Sequence, residues 1–182
     1  MRVISGKARG IKLDTLEGIN TRPTTDRVKE SLFSSIQFDI RNSKILDLFS
    51  GSGALGIESA SRGASEVILI EQNKKCKAII ESNIKKTKLT NIKLYVKDAF
   101  DYLTETNEKF DVVLLDPPYN NKLEIKAIEY ILDRNILNEN GLIVIERDKN
   151  DKIKFDFDGL ELIKEKKYGN TVIVLLRRNV WK

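Results

Sequence analysis

The chain has 182 residues, of which 41% are apolar and 32% charged, with 10 glycines, 3 prolines, 1 cysteine and no histidine. This length suits one compact domain with its own core, and the apolar fraction is too high for a disordered chain. No aliphatic run approaches the roughly 20 residues that span a bilayer, and the first residues lack the apolar core of a signal peptide. We therefore expect neither membrane insertion nor export.

The missing residue types narrow the possible chemistry. Without histidine, Ser-His-Asp and Cys-His nucleophiles are excluded, and one cysteine can form neither an intrachain disulfide nor a cysteine-rich zinc site. Catalysis must then depend on carboxylates, amides, hydroxyls, backbone groups or a bound cofactor, and we expect no metal. The low cysteine content fits a reducing, cytoplasmic compartment.

The net charge of +5 is unevenly placed. Residues 1–12 contain four basic side chains and no acid, and residues 164–182 contain six basic side chains and one acid, whereas the middle of the chain is slightly acidic. Basic ends on a more acidic body indicate contact with a polyanion, and an ordinary solvated surface explains the same charges equally well.

Short apolar runs alternate with amphipathic stretches along most of the chain. Residues 1–15 are typical of a small β-hairpin, and a helix capped by Thr24 or Thr25 follows. The next elements alternate: strands at 45–49, 67–70, 92–96, 112–115 and 142–145, and helices at about 54–62, 73–87, 99–104 and 122–133. Residues 160–167 and 171–177 flank a Gly-Asn turn and predict a closing antiparallel hairpin.

This alternation predicts one α/β domain, Rossmann-like, with a mostly parallel sheet that is covered on both faces. Residues 1–40 form an N-terminal extension, and residues 41–182 form the core. Ligands of such sheets bind beyond the carboxyl ends of the strands, so functional residues are expected just after strand ends.

A glycine-rich loop follows the first predicted strand. Residues 51–56 fit G-x-G-x-x-G and open a helix, where glycines permit a tight turn and let backbone N–H groups approach a ligand. They also fit the first half of a P-loop, but Ile57 and Glu58 stand where Lys and Ser or Thr are required. A plain strand-to-helix turn is the simpler alternative.

Three acids are placed to hold a cofactor that contains adenosine. Glu71 follows Gly51 by 20 residues, and at this distance in such folds an acid accepts hydrogen bonds from ribose hydroxyls. Alternatively, Glu71 is an ordinary surface acid. This pair does not separate NAD from S-adenosylmethionine. Asp47 favours the latter, because a carboxylate suits a cationic amino acid better than a pyrophosphate. Asp98 can accept a bond from the adenine amino group, and a helix N-cap explains it equally well.

Two of the three prolines stand together in Asp116-Pro117-Pro118-Tyr119, directly after an apolar strand. Prolines stiffen this turn and hold its acceptors in place, although a helix start is the alternative. Rigid hydrogen-bond acceptors suit methylation of an amino group on a base. Asp116 and the Pro117 carbonyl would accept hydrogen bonds from its N–H groups, and Tyr119 would stack on the base. A paired base would first have to be flipped out.

The motifs DLFSGSG at 47–53 and DPPY at 116–119 resemble motifs I and IV of class I S-adenosylmethionine-dependent methyltransferases. The segments MRVISGKARG at 1–10 and TRPTTDRVKESLF at 21–33 are similar to the RsmD family of bacterial 16S ribosomal RNA guanine-N2 methyltransferases. The similarity covers essentially the whole chain. It implies a seven-stranded sheet and methylation of the N2 amine of one guanine, guanine 966, in an assembling small ribosomal subunit.

Together, the motifs and the resemblance assign a set of site residues. S-adenosylmethionine is expected at Asp47, Phe49, Gly51, Ser52, Gly53, Glu71, Asp98 and Ala99. The catalytic residues would be Asp116, Pro117 and Tyr119. Contacts with RNA are expected at Arg2, Lys7, Arg9, Lys12, Arg22 and Pro118, with the chain acting as a monomer; Arg22 could instead meet the carboxylate of the cofactor. Cys76 falls on the apolar face of a helix and is expected in the core.

Three other functions remain open at this point. DNA adenine-N6 methylation uses the same motif but leaves little room for a domain that reads DNA sequence. A nicotinamide-dependent oxidoreductase would use the glycine loop and leave residues 116–119 without a role. A non-enzymatic RNA-binding module would bind RNA but no adenosine cofactor.

Overall fold

A computed structural model describes residues 1–16, 25–118, 122–151 and 153–179. The strands are β1 (Lys44–Asp47), β2 (Glu66–Ile70), β3 (Ile92–Tyr95), β4 (Phe110–Leu115), β5 (Leu137–Asp148), β6 (Leu160–Tyr168) and β7 (Thr171–Arg178). The helices are α1 (Asp26–Ser35), α2 (Gln37–Ile40), α3 (Ala54–Ser61), α4 (Lys74–Thr87), α5 (Ala99–Glu105) and α6 (Leu123–Asp133). Within these described residues, no helix is long and apolar enough to cross a membrane.

The seven strands form one sheet in the order β3-β2-β1-β4-β5-β7-β6. Strands β1 to β5 run parallel, and β7 lies antiparallel between β5 and β6. The predicted Rossmann-like α/β fold, its seven strands and its closing hairpin are therefore confirmed. Most boundaries lie within two residues of the prediction, and the larger differences concern β1 and β5. β1 ends at Asp47 because the glycine turn begins directly after it. β5 is longer at both ends because Leu137 pairs with Phe110 of β4 and Asp148 pairs with Thr171 of β7.

Alternate residues of the central strands pack against two helical layers. Ile45, Leu114 and Val144 face the layer made by α1, α3 and α4, which we call the α3 face. Leu46, Val113 and Ile143 face α5 and α6, which we call the α6 face. Both sides of the sheet are covered, as near-continuous apolar strands require.

Local signals explain where the helices begin. The Thr25 hydroxyl accepts a hydrogen bond from the Val28 N–H at 3.3 Å and caps α1, which agrees with one of the two predicted caps; Thr24 lies outside the described residues. The Asn73 side chain caps α4 in the same way. Cys76 lies on the buried side of α4, as predicted.

The first residues of the chain pack on the outer side of α3. Val3, Ala8 and Leu13 are buried there against Ala54 and Ile57. The predicted hairpin is reduced to a single antiparallel bridge, Arg2 to Lys12, with backbone hydrogen bonds around it. We call residues 1–16 the N-terminal arm.

Candidate active site

The predicted acids lie together at the carboxyl edge of the sheet. Asp47 is the last residue of β1, and Glu71 and Asp116 each follow directly after a strand, β2 and β4. Asp98 caps α5 just after β3. The structure adds Glu146, which is buried near the end of β5 and which the sequence reasoning did not select.

The glycine loop connects β1 to α3 with backbone conformations that favour glycine. Gly51 has a φ of +55°, and Gly53, at the N-cap of α3, has a φ of +78°. Gly56 serves packing instead, because a Cβ there would lie 2.1 Å from Cδ2 of Leu69 in β2. The motif therefore brings the N-terminus of α3 close to the sheet, with its first N–H groups at the carboxyl edge.

The Asp47 side chain is 1% exposed, and the protein supplies a hydrogen-bond donor to only one of its two carboxylate oxygens. Its Oδ2 accepts a hydrogen bond from the Gly56 N–H at 3.0 Å, whereas Oδ1 is buried with no hydrogen-bond partner among the described residues. Burial raises the pKa of Asp47 to about 7, and the nearby Glu71 adds to the rise. A buried acceptor without a donor fits a cationic amino group of a bound ligand.

Glu71 holds the glycine loop in addition to any role toward a ligand. Its Oε2 accepts a hydrogen bond from the Gly51 N–H at 2.7 Å, and its Oε1 accepts one from the Asn73 N–H at 2.7 Å. The carboxylate thereby ties the loop after β1 to the turn before α4. Each oxygen retains a further lone pair that could accept a ribose hydroxyl.

Asp98 is the N-cap of α5, the alternative that the sequence left open. Its Oδ1 accepts hydrogen bonds from the N–H groups of Phe100 and Asp101, at 2.8 and 3.2 Å. Ala99 is buried, and the Phe49 and Phe100 rings meet edge to face with centroids 6.4 Å apart. Apolar rings thus border the edge between β1 and β3, where a planar adenine would fit.

Asp116 and the two prolines leave β4 beside Asp47 and Glu146. Pro117 is buried and Pro118 is exposed. Burial raises the pKa of Asp116 well above its usual range, and the charges of Glu146 and Asp47 raise it further. Tyr119 and Arg22 lie outside the described residues, so the expected stacking and arginine contact stay predictions.

Asp47, Asp116 and Glu146 form a line that we call the carboxylate row. Asp47 and Glu146 follow Ile45 and Val144 by two positions, and period-two alternation puts both on the α3 face. Asp116 stands in the same relation to Leu114, and the strands run in the order β1-β4-β5. Among the described residues, no three acidic, cysteine or histidine side chains are arranged as metal ligands.

Asn83 is a second residue that sequence reasoning missed. It is fully buried on α4, and its side-chain amide donates to the Ser52 carbonyl at 3.0 Å. The signal was present, because Asn83 is a polar residue on the buried stripe that contains Cys76 and Ile80. Glu146 left a similar signal, as a charge that directly follows the apolar run of β5.

The predicted RNA-binding residues of the N-terminal arm are exposed, namely Arg2, Lys7, Arg9 and Lys12. Arg2 also pairs with Asp26, its Nε lying 3.4 Å from Oδ2. The arm is bound to α3 through Glu58, whose carboxylate accepts hydrogen bonds from the N–H groups of Ile4 and Ser5 at 2.8 and 3.1 Å. The basic side chains therefore sit on a firmly docked support.

An open, polar cleft lies at the other end of the sheet, near the start of β4 and β5. It is lined by Lys109, Asp111, Asn135, Asn138, Glu139 and Arg178. Asp111 is used structurally there, since it accepts hydrogen bonds from the Lys44 N–H and from Asn138. The cleft is remote from the glycine loop and includes none of the predicted site residues.

The sheet order, with β7 inserted antiparallel next to β6, and the glycine loop after β1 define the class I methyltransferase fold. Comparisons with known proteins agree. A solved Escherichia coli protein, yhhF, matches with a TM-score of 0.89 and 32% identity, covering 98% of both chains. A solved Thermus protein matches with a TM-score of 0.82 and 27% identity, covering 96% of this chain and 98% of the other.

Sequence comparisons show which family the chain belongs to. A family model described as "Conserved hypothetical protein 95" matches residues 1–177. Proteins named "Ribosomal RNA small subunit methyltransferase D" are 38% identical in Haemophilus influenzae, over 93% of this chain and 89% of theirs, and 32% identical in Escherichia coli K12, over 98% and 90%. The chain belongs to this family, the RsmD family, and the resemblance noted in the sequence is confirmed.

Proposed function

We propose that this chain transfers a methyl group from S-adenosylmethionine to the N2 amine of one guanine of 16S ribosomal RNA, guanine 966, in an assembling small subunit. The names of the relatives support an enzyme that methylates ribosomal RNA. SMU.776, a protein of the same fold, is in complex with S-adenosylhomocysteine. At 19% identity that likeness shows the fold alone, so we assign the cofactor from the residues of this chain.

One observation supports the proposal above all others: a buried, unsatisfied carboxylate and the DPPY turn meet on neighbouring strands. Asp47 of β1 is paired with Leu114 of β4, two residues before Asp116. Neighbouring strands lie about 4.8 Å apart, so an amino acid held at Asp47 would lie beside the acceptors of the turn. A dinucleotide would need no acceptors at that turn.

The residues would hold the cofactor in three parts. Asp47 would bind the positively charged amino group, the N–H groups of the glycine loop would contact the carboxylate end, and Glu71 would accept ribose hydroxyls. Asp98, Ala99 and Phe49 would border the adenine. When bound, S-adenosylmethionine supplies an electrophilic methyl group on a positively charged sulfur.

The chain's own residues would prepare the amine for attack. An exocyclic guanine amine is a weak nucleophile because its lone pair is delocalised into the ring. The Asp116 carboxylate and the Pro117 carbonyl would accept hydrogen bonds from its two N–H groups and direct the lone pair toward the methyl donor. Methyl transfer would form the nitrogen–carbon bond as the donor's sulfur–carbon bond breaks, and Asp116 would accept the N–H proton that the amine loses. Tyr119 would stack on the flipped base, with Pro118 beside it.

Replacing Asp116 tests the proposal. The Asp116→Ala variant should lose about 1,000-fold or more in methyl transfer to 16S ribosomal RNA, since it removes an acceptor that acts in the transition state. Its affinity for S-adenosylhomocysteine, measured by calorimetry, should stay within a few-fold of the unmodified chain. Asp133→Ala, at the exposed end of α6, is the control and should change neither. A wild-type rate for Asp116→Ala would contradict the mechanism.

The same assays separate the alternatives. Labelled cofactor incubated with 16S ribosomal RNA and with DNA distinguishes guanine-N2 from adenine-N6 methylation. Binding of NADH would instead support an oxidoreductase, and RNA binding without any adenosine cofactor would support a plain RNA-binding module.

A further inference from the structure

The turn between β6 and β7 lies at the same edge of the sheet as the DPPY motif. Because β7 is antiparallel to β5, its first residue, Thr171, pairs with Asp148 at the carboxyl end of β5. Tyr168 pairs with Thr171 from the other side. We call Lys166, Lys167 and Tyr168 the hairpin tip.

The strand register places Lys166 level with the carboxylate row and on its face. Glu146 is paired with Ile173, and Ile173 is paired with Lys166. Directly paired residues of antiparallel strands point to the same side, which is the α3 face because Ile173 packs there. Lys166 is thus about 10 Å from Glu146, and about 14 Å from the end of β4, at roughly 4.8 Å per strand.

The cations of the hairpin tip are exposed and not neutralised. Lys166 and Lys167 are both exposed, and neither has an acidic partner within salt-bridge distance among the described residues. The neighbouring acid, Glu165, is turned away: it bonds Arg147 with an Nη2 to Oε1 distance of 2.5 Å. The Lys166 ammonium lies 5.2 Å from the centre of the Tyr168 ring, which orients it.

The acidic floor of the site makes flanking cations necessary. The carboxylate row would repel the phosphates of an RNA whose base enters the site, so the backbone must be held on either side of the row. The N-terminal arm supplies cations on the side of β1 and β2, because it packs on α3. The hairpin tip lies beyond β5 on the other side.

We propose that the hairpin tip is a second RNA interface, in which Lys166 binds a phosphate next to the target base. Lys167 lies on the other side of β6, because its partner Val172 packs on the α6 face, and it would bind a phosphate farther along the RNA. This interface rests on the proposed RNA substrate. The RNA would cross the carboxyl edge of the sheet from the N-terminal arm to the hairpin tip. Lysines also protect an edge strand such as β6 from pairing with another chain, and that role would require no RNA contact.

A pair of double variants distinguishes these roles. Lys166→Ala/Lys167→Ala removes the cations of the hairpin tip. Lys109→Ala/Arg134→Ala removes two equally exposed cations near the amino ends of β4 and β5. Binding to full-length 16S ribosomal RNA transcript is measured at several salt concentrations, with S-adenosylhomocysteine affinity and thermal unfolding as checks on the fold.

We expect the hairpin-tip variant to bind the transcript at least about 10-fold more weakly. The slope of log K against the logarithm of the salt concentration should be shallower by about 1 to 2. Its KM for RNA should rise while kcat stays within about two-fold. The control pair should match the unmodified chain. Equal binding by all three proteins, or equal losses in both variants, would overturn the interface. The proposed function fails separately, if the unmodified chain transfers no methyl group to the RNA.

Discussion

The Asn83 side chain joins the glycine loop to the N-terminal arm. Its amide donates to the Ser52 carbonyl at 3.0 Å and to the Asp14 carbonyl at 3.0 Å, and its oxygen accepts the Asp14 N–H at 2.8 Å. One buried side chain therefore fixes both the loop proposed to hold the cofactor and the segment proposed to meet RNA.

Asn83 is not one of the residues proposed to contact the cofactor, but replacing it should still weaken cofactor binding. Asn83→Leu keeps the number and branching of the side-chain heavy atoms and removes three hydrogen bonds, each worth about 1 kcal/mol, so the loop loses part of its fixed shape. We expect the dissociation constant for S-adenosylhomocysteine to rise roughly 5- to 30-fold by calorimetry. Lys86→Ala, which removes only the exposed Lys86 to Asp14 ion pair, should change it less than two-fold. Unchanged affinity in Asn83→Leu would show that the loop keeps its shape alone.

Gly6 and Gly10 offer a matched pair in the N-terminal arm. Their φ angles are +87° and +86°, but a Cβ at Gly6 would lie 1.9 Å from the Ser61 carbonyl oxygen, whereas one at Gly10 meets nothing within 4 Å. Gly10→Ala should cost about 1 kcal/mol of unfolding free energy from backbone strain alone. Gly6→Ala should cost at least about 2 kcal/mol more in urea unfolding, because the arm must also move away from α3, and should weaken RNA binding. Similar values for both would mean that the arm shifts without cost.

The pH dependence of methyl transfer should reflect the carboxylate row. In the proposed mechanism Asp116 must be ionised to accept hydrogen bonds from the amine N–H groups, so the rate should fall as pH falls through its pKa. Burial, Glu146 and Asp47 raise that pKa, which places the acid limb of kcat/KM above the usual carboxyl range. Glu146→Gln removes one negative charge and should move the limb to lower pH. An identical profile in the variant would show that Glu146 does not influence the reacting carboxylate.

The unfolding free energy of the unliganded protein should fall as pH rises, because of Asp47. A carboxyl whose pKa is raised from 3.8 to about 7 on folding binds more protons when folded, so the unfolding free energy falls between those pH values. The upper limit is about 4 kcal/mol. Asp47→Asn should therefore be more stable than the unmodified chain at about pH 8, by roughly 2 to 4 kcal/mol, and equal to it near pH 4. Urea unfolding at both pH values measures this, and a difference that does not depend on pH would contradict it.

Sequence reasoning predicted the local parts of the fold well because those parts have local causes. The alternation of apolar runs and the turn residues determine the strands and helices, and the glycine loop and DPPY turn mark two strand ends. The structure shows Glu71 and Asp98 bonded to backbone N–H groups, which a list of motifs does not reveal. The bond from Gly51 to Glu71 depends on the packing of β1 beside β2.

Asn83 and Glu146 show why part of the site escaped prediction. Each is a polar residue in an otherwise apolar pattern, and that pattern alone does not say what lies opposite. The Asn83 partners are 31 and 69 residues away along the chain. Glu146 meets Asp116 only because β4 and β5 are neighbours in the sheet. Such pairings become visible once the strand order is known.

The way in which the arm is attached has a consequence for how this protein can be divided. Lys29 and Glu58 are both fully buried and lie 3.2 Å apart, and the arm closes over them through Ile4, Ser5 and the carbonyl of Arg2. Shortening the chain from its beginning would leave an ion pair half covered and strip α3 of its outer apolar partners. The arm is therefore no detachable accessory, and a fragment that lacks residues 1–16 should not fold into a working enzyme.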